Sequence, residues 1–268
     1  MFNPGSNVIN LKEKLDAIYL KYNRKKYIDP DPLLFLYNYH DKKDIEIAGF
    51  IAACFAYGRV SQIMKAIGHI LDKMNPSPFE YITTRTKKDI AYDFQGFRYR
   101  FANEVHLTDL LWGIRNVLNL FSSLENCFYS GWSAKDSTLI PGLTFLYDQI
   151  KQNWIPGHLI ADPQKQSACK RSHLFLRWMV RKDNVDPGIW EKAKFSRLIV
   201  PLDTHMYRTG VMLGFTKRKS QDIKTAIEIT EGFKKISKKD PVKYDFCLTR
   251  FGIRKGLDMD NLSQIILN

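Results

Sequence analysis

Apolar residues recur at helical spacing along most of the chain. In the segment 10–22, Leu11, Leu15, Ile18 and Tyr19 share one helical face. The run DIEIAGFIAACFAYGRVSQIMKAIGHILDKM is apolar on most sides and is interrupted at YGR, which indicates two helices or one kinked helix. The pattern predicts an all-α fold, with further helices in HLTDLLWGIRNVLNLFSSLENCF, GLTFLYDQIKQNW, SACKRSHLFLRWMVR, KSQDIKTAIEITEGFKKIS and DPVKYDFCLTRFGIRKG.

Several predicted helix ends carry recognisable signals. Pro32 stands in the first turn of a helix predicted over DPDPLLFLYNY, where its missing N–H is not needed. Thr108 is a candidate cap, Ser220 precedes Asp222 at another helix start, and Pro241 falls in the first turn of the helix over DPVKYDFCLTRFGIRKG. The basic and aromatic segment TRTKKDIAYDFQGFRYRF alternates too little to predict a strand.

The length of 268 residues suits one large domain or two small ones. No repeat, low-complexity tail or flexible linker divides the sequence. We therefore expect one compact helical domain with two lobes and a basic cleft between them. The expected central lobe covers about residues 36–178, and the second lobe combines about residues 1–35 with 179–268.

The charge balance favours a polyanionic partner. Lys and Arg number 41 against 28 Asp and Glu, giving a formal net charge of +13. Nucleic acid is the leading candidate, and a generally basic surface that aids solubility is the alternative. No apolar run spans a bilayer, and the start MFNPGSNVINLKEKL has no signal-sequence pattern. We expect a cytoplasmic, nucleoid-associated protein without a membrane partner.

The four cysteines are too far apart in sequence for a clustered metal site. No C-x-x-C pair occurs among Cys54, Cys127, Cys169 and Cys247. A zinc site or an iron–sulfur cluster needs closer grouping. The expectation is four reduced thiols, no metal, no iron–sulfur cluster and no cofactor.

Two segments carry candidate chemistry. In RLIVPLDTHMYRTGVMLGF, Asp203 follows an apolar run and precedes a helix, so it is a candidate helix cap and a candidate reactive carboxylate, and the two roles are compatible. From Gln164 to Lys182 the chain holds six basic residues and no acid. On a helix, Lys170, Leu174, Arg177 and Arg181 fall along one side, which indicates either a phosphate-binding helix start or a solvated basic face.

The segment VPLDTHMYRTGVMLG resembles the part of the helix-hairpin-helix DNA glycosylase superfamily that carries its essential Asp. Pro201, Asp203 and His205 match that motif, as do the following Tyr207 and Arg208. In the bifunctional members a Lys opens the preceding helix, and Lys170 occupies that place. The resemblance implies that Lys170 is the nucleophile and that Asp203 is the carboxylate stabilising charge on the sugar.

The chain also resembles an uncharacterised bacterial family distantly related to the archaeal 8-oxoguanine DNA glycosylases. The segments SACKR, LFLRWMVR, PLDTH and PVKYDF are typical of it, and Asp203 follows Lys170 by 33 residues. The glycine-rich hairpin turn of the superfamily is replaced by DPQKQSACK. The phosphate clamp would then pass to the side chains of Lys165, Gln166 and Ser167.

Further site residues follow from the resemblance. Arg171 and Arg208 are expected to contact DNA, and His205 either touches a backbone phosphate or is a packed structural residue. Tyr57 or Arg59 is a candidate for filling the gap left by a flipped base. Asp245 either contacts the base or is a polar residue favoured by the dipole of its helix, and Leu174 is the second expected residue of the base pocket.

The resemblance implies a DNA repair glycosylase that removes a damaged base, with an oxidised purine as one candidate, and cleaves the strand through a Lys Schiff base. Its partner would be double-stranded DNA, and a monomer is expected. The alternative is a non-catalytic nucleic-acid-binding helical protein of the same fold. A third possibility is a helical protein that binds a protein partner.

Overall fold

The computed structural model describes residues 4–163, 165, 167–254 and 256–267. It is mostly helical with one small hairpin, which confirms the all-α expectation. In chain order the α-helices are α1 (Pro4–Tyr22), α2 (Lys42–Phe55), α3 (Val60–Lys73), α4 (Pro78–Thr84), α5 (Lys87–Asp93), α6 (Glu104–Phe121), α7 (Leu124–Ser130), α8 (Ile140–Lys151), α9 (Lys170–Val180), α10 (Thr204–Met212), α11 (Ile223–Ile236), α12 (Asp245–Ile253) and α13 (Met259–Leu267). Strands β1 (Arg98–Tyr99) and β2 (Ala102–Asn103) pair antiparallel.

The chain folds into two compact units. One is formed by residues 31–165, and the other combines residues 1–30 with 166–268. These boundaries differ from the expected ones near residues 35 and 178. The difference matters because α9, which opens with Lys170, belongs to the same unit as Asp203.

Some helix ends differ from their sequence signals. The segment Pro32–Asn38 is a 3-10 helix capped by Asp31 rather than an α-helix. The cap of α6 is Asn103, and Thr108 lies inside the helix, buried. The run after α6 is broken because Ser122 takes a left-handed φ of 68°, so α7 is a separate helix.

Two other helices begin later than their patterns predict. Helix α9 begins at Lys170 rather than at the Ser of SACKR. Helix α12 begins at Asp245, so Pro241 lies in the preceding turn and not in the first helical turn. For α11 the cap is Asp222, whose side chain accepts from the Thr225 N–H at 2.9 Å.

The unit of residues 31–165 is built around α2. Its residues from Glu46 to Phe55 are all buried, as an apolar pattern on every side of the helix requires. The one acid among them, Glu46, accepts hydrogen bonds of 2.8 Å from the Leu124 and Glu125 N–H groups at the start of α7. A carboxylate at a helix N-terminus is electrostatically favourable, which offsets the cost of burying it.

The second unit surrounds α9. Trp178 lies on this helix with almost no exposure, and Trp190, Phe233 and Phe251 are buried in the same unit. Arg177 of α9 and Arg181, the residue directly after this helix, are also buried. None of the helices that the structure describes has an apolar stretch long enough to span a bilayer.

Candidate active site

Lys170 and Asp203 face each other at the starts of two helices in one unit. The Nζ atom of Lys170, the first residue of α9, lies 3.4 Å from Oδ2 of Asp203. Asp203 also caps α10, since its Oδ1 atom accepts a hydrogen bond from the Met206 N–H at 2.8 Å. Oδ1 of Asp203 therefore caps a helix, while Oδ2 faces the Lys170 amine. With the Lys170 side chain 37% exposed, its amine is open to a ligand.

The backbone before Lys170 sets the start of α9. Cys169 has left-handed angles of φ 43° and ψ 41°, a conformation that costs a non-glycine residue roughly 1–2 kcal/mol. Its carbonyl accepts from the N–H groups of Ser172 and His173 at 2.9 and 3.1 Å. The first amides of a helix carry partial positive charge, so this end of α9 suits a phosphate or another anion.

A row of cations runs along one side of α9 from Lys170. Arg177 and Arg181 follow at helical spacing, and each is 2% exposed. The expectation of a solvated basic face is therefore wrong for these two residues. Buried charges need partners, and apolar neighbours on the same helix offer none.

A cluster of buried aspartates supplies those partners. Arg177 Nε donates to Asp186 Oδ1 at 3.2 Å, and Arg177 Nη1 forms an ion pair with Asp245. Arg181 Nη1 lies 2.9 Å from Asp186 Oδ2, so Asp186 bridges the two arginines. The aspartates paired with Arg181 are Asp183, Asp186 and Asp240.

Asp245 connects this buried network to the Lys170–Asp203 pair. It opens α12, is 2% exposed, and its Oδ1 atom accepts no hydrogen bond from any described residue. Burial raises the pKa of Asp245 to about 6, Arg177 acts to lower it, and the negative charge of nearby Asp203 raises it further. The starts of α9, α10 and α12 thus meet at one place. Because its carboxylate is buried against Arg177, a positioning role is favoured over direct contact with a base.

Residues 31–254 match the family described as "Protein of unknown function (DUF2400)". The chain belongs to the DUF2400 family. The matched segment contains Lys170, Asp203 and Asp245, and with them the whole of the candidate site. No curated protein and no solved structure shows significant similarity to the chain.

Other predicted residues of this DUF2400 protein lie close to the pair in sequence. Arg171 and Leu174 are half-buried in the first two turns of α9, and Arg208 is exposed on α10. The His205 ring packs against Gly252 of α12, where an added Cβ would come within 2.1 Å of the ring nitrogen Nδ1. Since that nitrogen is buried and has no hydrogen-bond partner among the described residues, the packed structural role of His205 is favoured.

Two of the three residues that were expected to clamp a DNA phosphate lie among the described residues. Ser167 is exposed and forms a backbone bridge with Asp222, and its hydroxyl accepts from the Cys169 N–H at 3.3 Å. Lys165 is exposed and belongs to the unit of residues 31–165. Gln166 lies outside the described residues. Ser167 therefore supports the start of α9 through the backbone of Cys169.

The candidates for filling a gap in DNA lie in the unit of residues 31–165. The Tyr57 hydroxyl is 2.7 Å from His158 Nε2, and its ring packs edge-on against Tyr99 with centroids 5.0 Å apart. These contacts fix the Tyr57 side chain, an arrangement that disfavours insertion into a duplex. Arg59 is exposed at the N-cap position of α3 and remains a candidate.

The buried aspartate network was missed by the sequence patterns, although a signal for it exists. Arg177 lies between Leu176 and Trp178, and Arg181 follows Val180 at the end of a helix without acids. Two arginines on a largely apolar helix require buried carboxylate partners. The nearest acids in sequence, Asp183 and Asp186, follow the helix directly and are among those partners.

The described residues contain no group of three or more His, Cys, Asp or Glu placed to hold a metal ion. All four cysteines are buried thiols. Burial raises the pKa of the Cys127 thiol to about 12, with Glu46 adding to the effect. Neutral buried thiols of this kind act as small apolar side chains in the core.

Proposed function

We propose that the protein is a DNA glycosylase with associated lyase activity, in which Lys170 is the nucleophile and Asp203 is the charge-stabilising carboxylate. The observation that carries the proposal is the 3.4 Å approach of Lys170 Nζ to Asp203 Oδ2 between two helix starts. Residues 33 positions apart in sequence reach this distance only through the fold. The substrate would be duplex DNA carrying a damaged base, with an oxidised purine as the first candidate.

The proposed reaction uses the side chains of both Lys170 and Asp203. The neutral Lys170 amine attacks C1′ of the deoxyribose, the glycosidic bond breaks, and the base leaves with the bonding electrons and takes a proton from the attacking amine. Asp203 stabilises the positive charge that develops on the sugar and passes the amine proton on to the departing base. The sugar ring then opens to an iminium, and its O4′ oxygen takes a proton from solvent. The departed base or solvent removes a C2′ proton to give an enamine, which expels the 3′ phosphate with the electrons of the C3′–O bond.

Surrounding residues support these roles. The ion pair between Asp245 and Arg177 joins the start of α12 to the last turn of α9, which restricts how the helices that carry the reacting groups can move. The positive end of α9 favours a DNA phosphate next to the sugar. A net charge of +13 attracts DNA before the two molecules touch, which favours their association.

Borohydride trapping tests the proposal. Duplexes carrying an oxidised purine or an abasic site are incubated with the protein, and reduction of the iminium leaves a stable protein–DNA adduct. We expect an adduct with the wild-type protein and none with Lys170→Ala. Lys182→Ala is the matched control, because it removes an exposed lysine just beyond the same helix. Trapping that is equal in the wild type and Lys170→Ala would contradict the proposed nucleophile.

A non-catalytic nucleic-acid binder of the same fold is the competing function. It predicts no adduct with any lesion, and it predicts that Lys170→Ala weakens DNA binding only through the loss of one charge. The glycosylase proposal instead predicts that product formation vanishes while binding persists. Measuring both quantities on one set of variants separates the two.

A further inference from the structure

The unit of residues 31–165 contains a groove remote in sequence from the candidate active site. Helix α3 supplies Gln62, Lys65 and His69, which share one face of the helix. The opposite side is formed by the segment 96–100, with the buried rings of Phe97 and Tyr99. The His69 ring lies parallel to that of Phe97, at 12° and 6.1 Å between centroids. The groove has a volume of about 600 Å³, within the range of sites that hold a small ligand or one or two nucleotides.

The charges of the groove are of one sign. Lys65, Arg98 and Arg100 are exposed, and none of them forms an ion pair with an acid among the described residues. No residue known to line the groove is acidic. The carboxylate of Glu104 nearby accepts a hydrogen bond from the Gly96 N–H. An anion entering the groove would therefore meet three cations that have no acidic partner among the described residues.

The hairpin between β1 and β2 adds an exposed aromatic ring. Its two-residue turn is Arg100 and Phe101, because Tyr99 pairs with Ala102. Phe101 is 72% exposed, and the Arg100 guanidinium lies 5.6 Å from the centre of its ring. Exposing a phenyl ring next to a cation provides a stacking platform rather than a core contact.

The turn also holds Arg100 in a strained backbone conformation that a glycine would adopt without strain. Arg100 has φ 51°, and a positive φ at the first turn position is ordinarily taken by Gly. Gly58, itself at φ +102°, makes room for Arg100, since an added Cβ would lie 3.1 Å from the Arg100 side chain. Strained backbone conformations cluster at functional sites, which makes Arg100 a candidate functional residue.

We infer that this groove binds a single strand of nucleic acid, with phosphates on Lys65, Arg98 and Arg100 and an unpaired base stacked on Phe101. An exposed ring at a hairpin tip favours a strand over an intact duplex, whose bases are already stacked on one another. The aromatic lining also favours a strand over an acidic peptide, which would need only the cations. The groove shares no residue with the Lys170–Asp203 site, so this inference stands whether or not that site is catalytic.

Binding of the full-length protein to a single-stranded DNA containing 2-aminopurine tests the inference. Stacking on Phe101 should change the fluorescence of the modified base, and Phe101→Ala should abolish the change and weaken binding on the order of tenfold. Arg98→Ala should weaken binding and reduce the slope of log affinity against log salt by about 0.7, the value for one phosphate contact on a single strand.

Matched variants separate binding from folding. Arg100→Gly suits the turn conformation, so its melting temperature should equal or exceed that of the wild type while its strand affinity falls. Lys88→Ala removes an exposed charge, and Tyr92→Ala removes a ring that is 78% exposed, both outside the groove lining. Neither control should alter strand binding.

Two outcomes would overturn the inference. The first is strand affinity unchanged in Arg98→Ala, Arg100→Gly and Phe101→Ala. The second is a free mononucleotide that competes for the groove as strongly as the oligonucleotide, which would make it a nucleotide pocket instead. Loss of borohydride trapping with intact strand binding would contradict only the glycosylase proposal, and the reverse pattern would contradict only the groove.

Discussion

At the scale of single residues, the two carboxylate oxygens of Asp203 have different contacts, so a helix cap is compatible with the proposed role in the reaction. Its Oδ1 atom caps α10 while its Oδ2 atom faces Lys170 at 3.4 Å. A cap needs only an oxygen acceptor, whereas stabilising a cationic sugar needs negative charge. The two functions can therefore be separated by substitution.

Asp203→Asn should preserve the fold and remove the activity. Asn caps helices about as well as Asp, so we expect an unchanged melting temperature, while loss of the charge should lower product formation by about 100-fold or more. Asp203→Ala should lose the activity and also about 1 kcal/mol of stability, because the cap is gone. Thermal melts and single-turnover assays measure both effects. Wild-type turnover in Asp203→Asn would reduce Asp203 to a cap.

His173 should make the protein sensitive to acid. Burial lowers its pKa from 6.5 to about 4. Between these values the unfolded chain holds the proton and the native protein does not, so stability present above pH 6.5 is lost as the pH falls toward 4, by up to about 3 kcal/mol. Urea unfolding at several pH values should show the advantage of the wild type over His173→Leu shrinking by that amount.

Asp245 acts in the opposite direction but does not disturb this comparison. Its pKa is raised from 3.8 to about 6, so it favours the native state at low pH and its contribution is lost as the pH rises through that interval. Both proteins in the comparison contain Asp245, and its effect cancels in the difference. Parallel pH profiles for the wild type and His173→Leu would contradict the assignment.

At the scale of elements, α9 organises the second unit. Lys170 is the partly exposed end of a row whose other members, Arg177 and Arg181, are buried against aspartates. Removing one partner from a buried ion pair leaves an uncompensated charge, and this costs far more than the pair contributes. The row therefore ties the start of α12 to α9 through Asp245.

A double-mutant cycle tests the energetic coupling between Arg177 and Asp245. Arg177→Met should lower the free energy of unfolding by about 3–5 kcal/mol, and adding Asp245→Asn should recover at least about 1 kcal/mol of that loss. The exposed pair Lys234 and Glu231, 2.5 Å apart, is the control, and its coupling should stay below about 1 kcal/mol. Additive effects of Arg177→Met and Asp245→Asn would show that the two residues are not coupled.

Periodicity predicted the helices well and their ends less well. The break between α2 and α3 and the caps formed by Asp203 and Asp222 have local sequence signals. The separation of α6 from α7 depends on the left-handed backbone of Ser122. A serine in the sequence does not predict that conformation. Ion pairs such as Arg177 with Asp245 join residues 68 positions apart, and helical spacing carries no information about them.

At the scale of the whole molecule, the two candidate nucleic-acid surfaces lie in different units. The unit of residues 31–165 has a basic groove with an exposed ring, and the other unit has the Lys170–Asp203 pair. The expected boundary near residue 178 assigned Lys170 and Asp203 to different lobes, whereas both residues belong to one unit.

The net charge of +13 predicts salt-sensitive binding to undamaged duplex DNA. Lys170→Ala should leave that binding largely intact, changing the slope of log affinity against log salt by no more than about 0.9. Fluorescence anisotropy across a salt series measures the slope. Affinity independent of salt would contradict a nucleic-acid partner.

The proposed reaction requires that Lys170 forms the covalent bond to the sugar. The most direct measurement is to trap the wild-type protein on a lesion-containing duplex with borohydride, digest the adduct and locate the sugar remnant by mass spectrometry. We expect the remnant on the Lys170 Nζ atom. A remnant on another amine, or no adduct with any lesion, would contradict it.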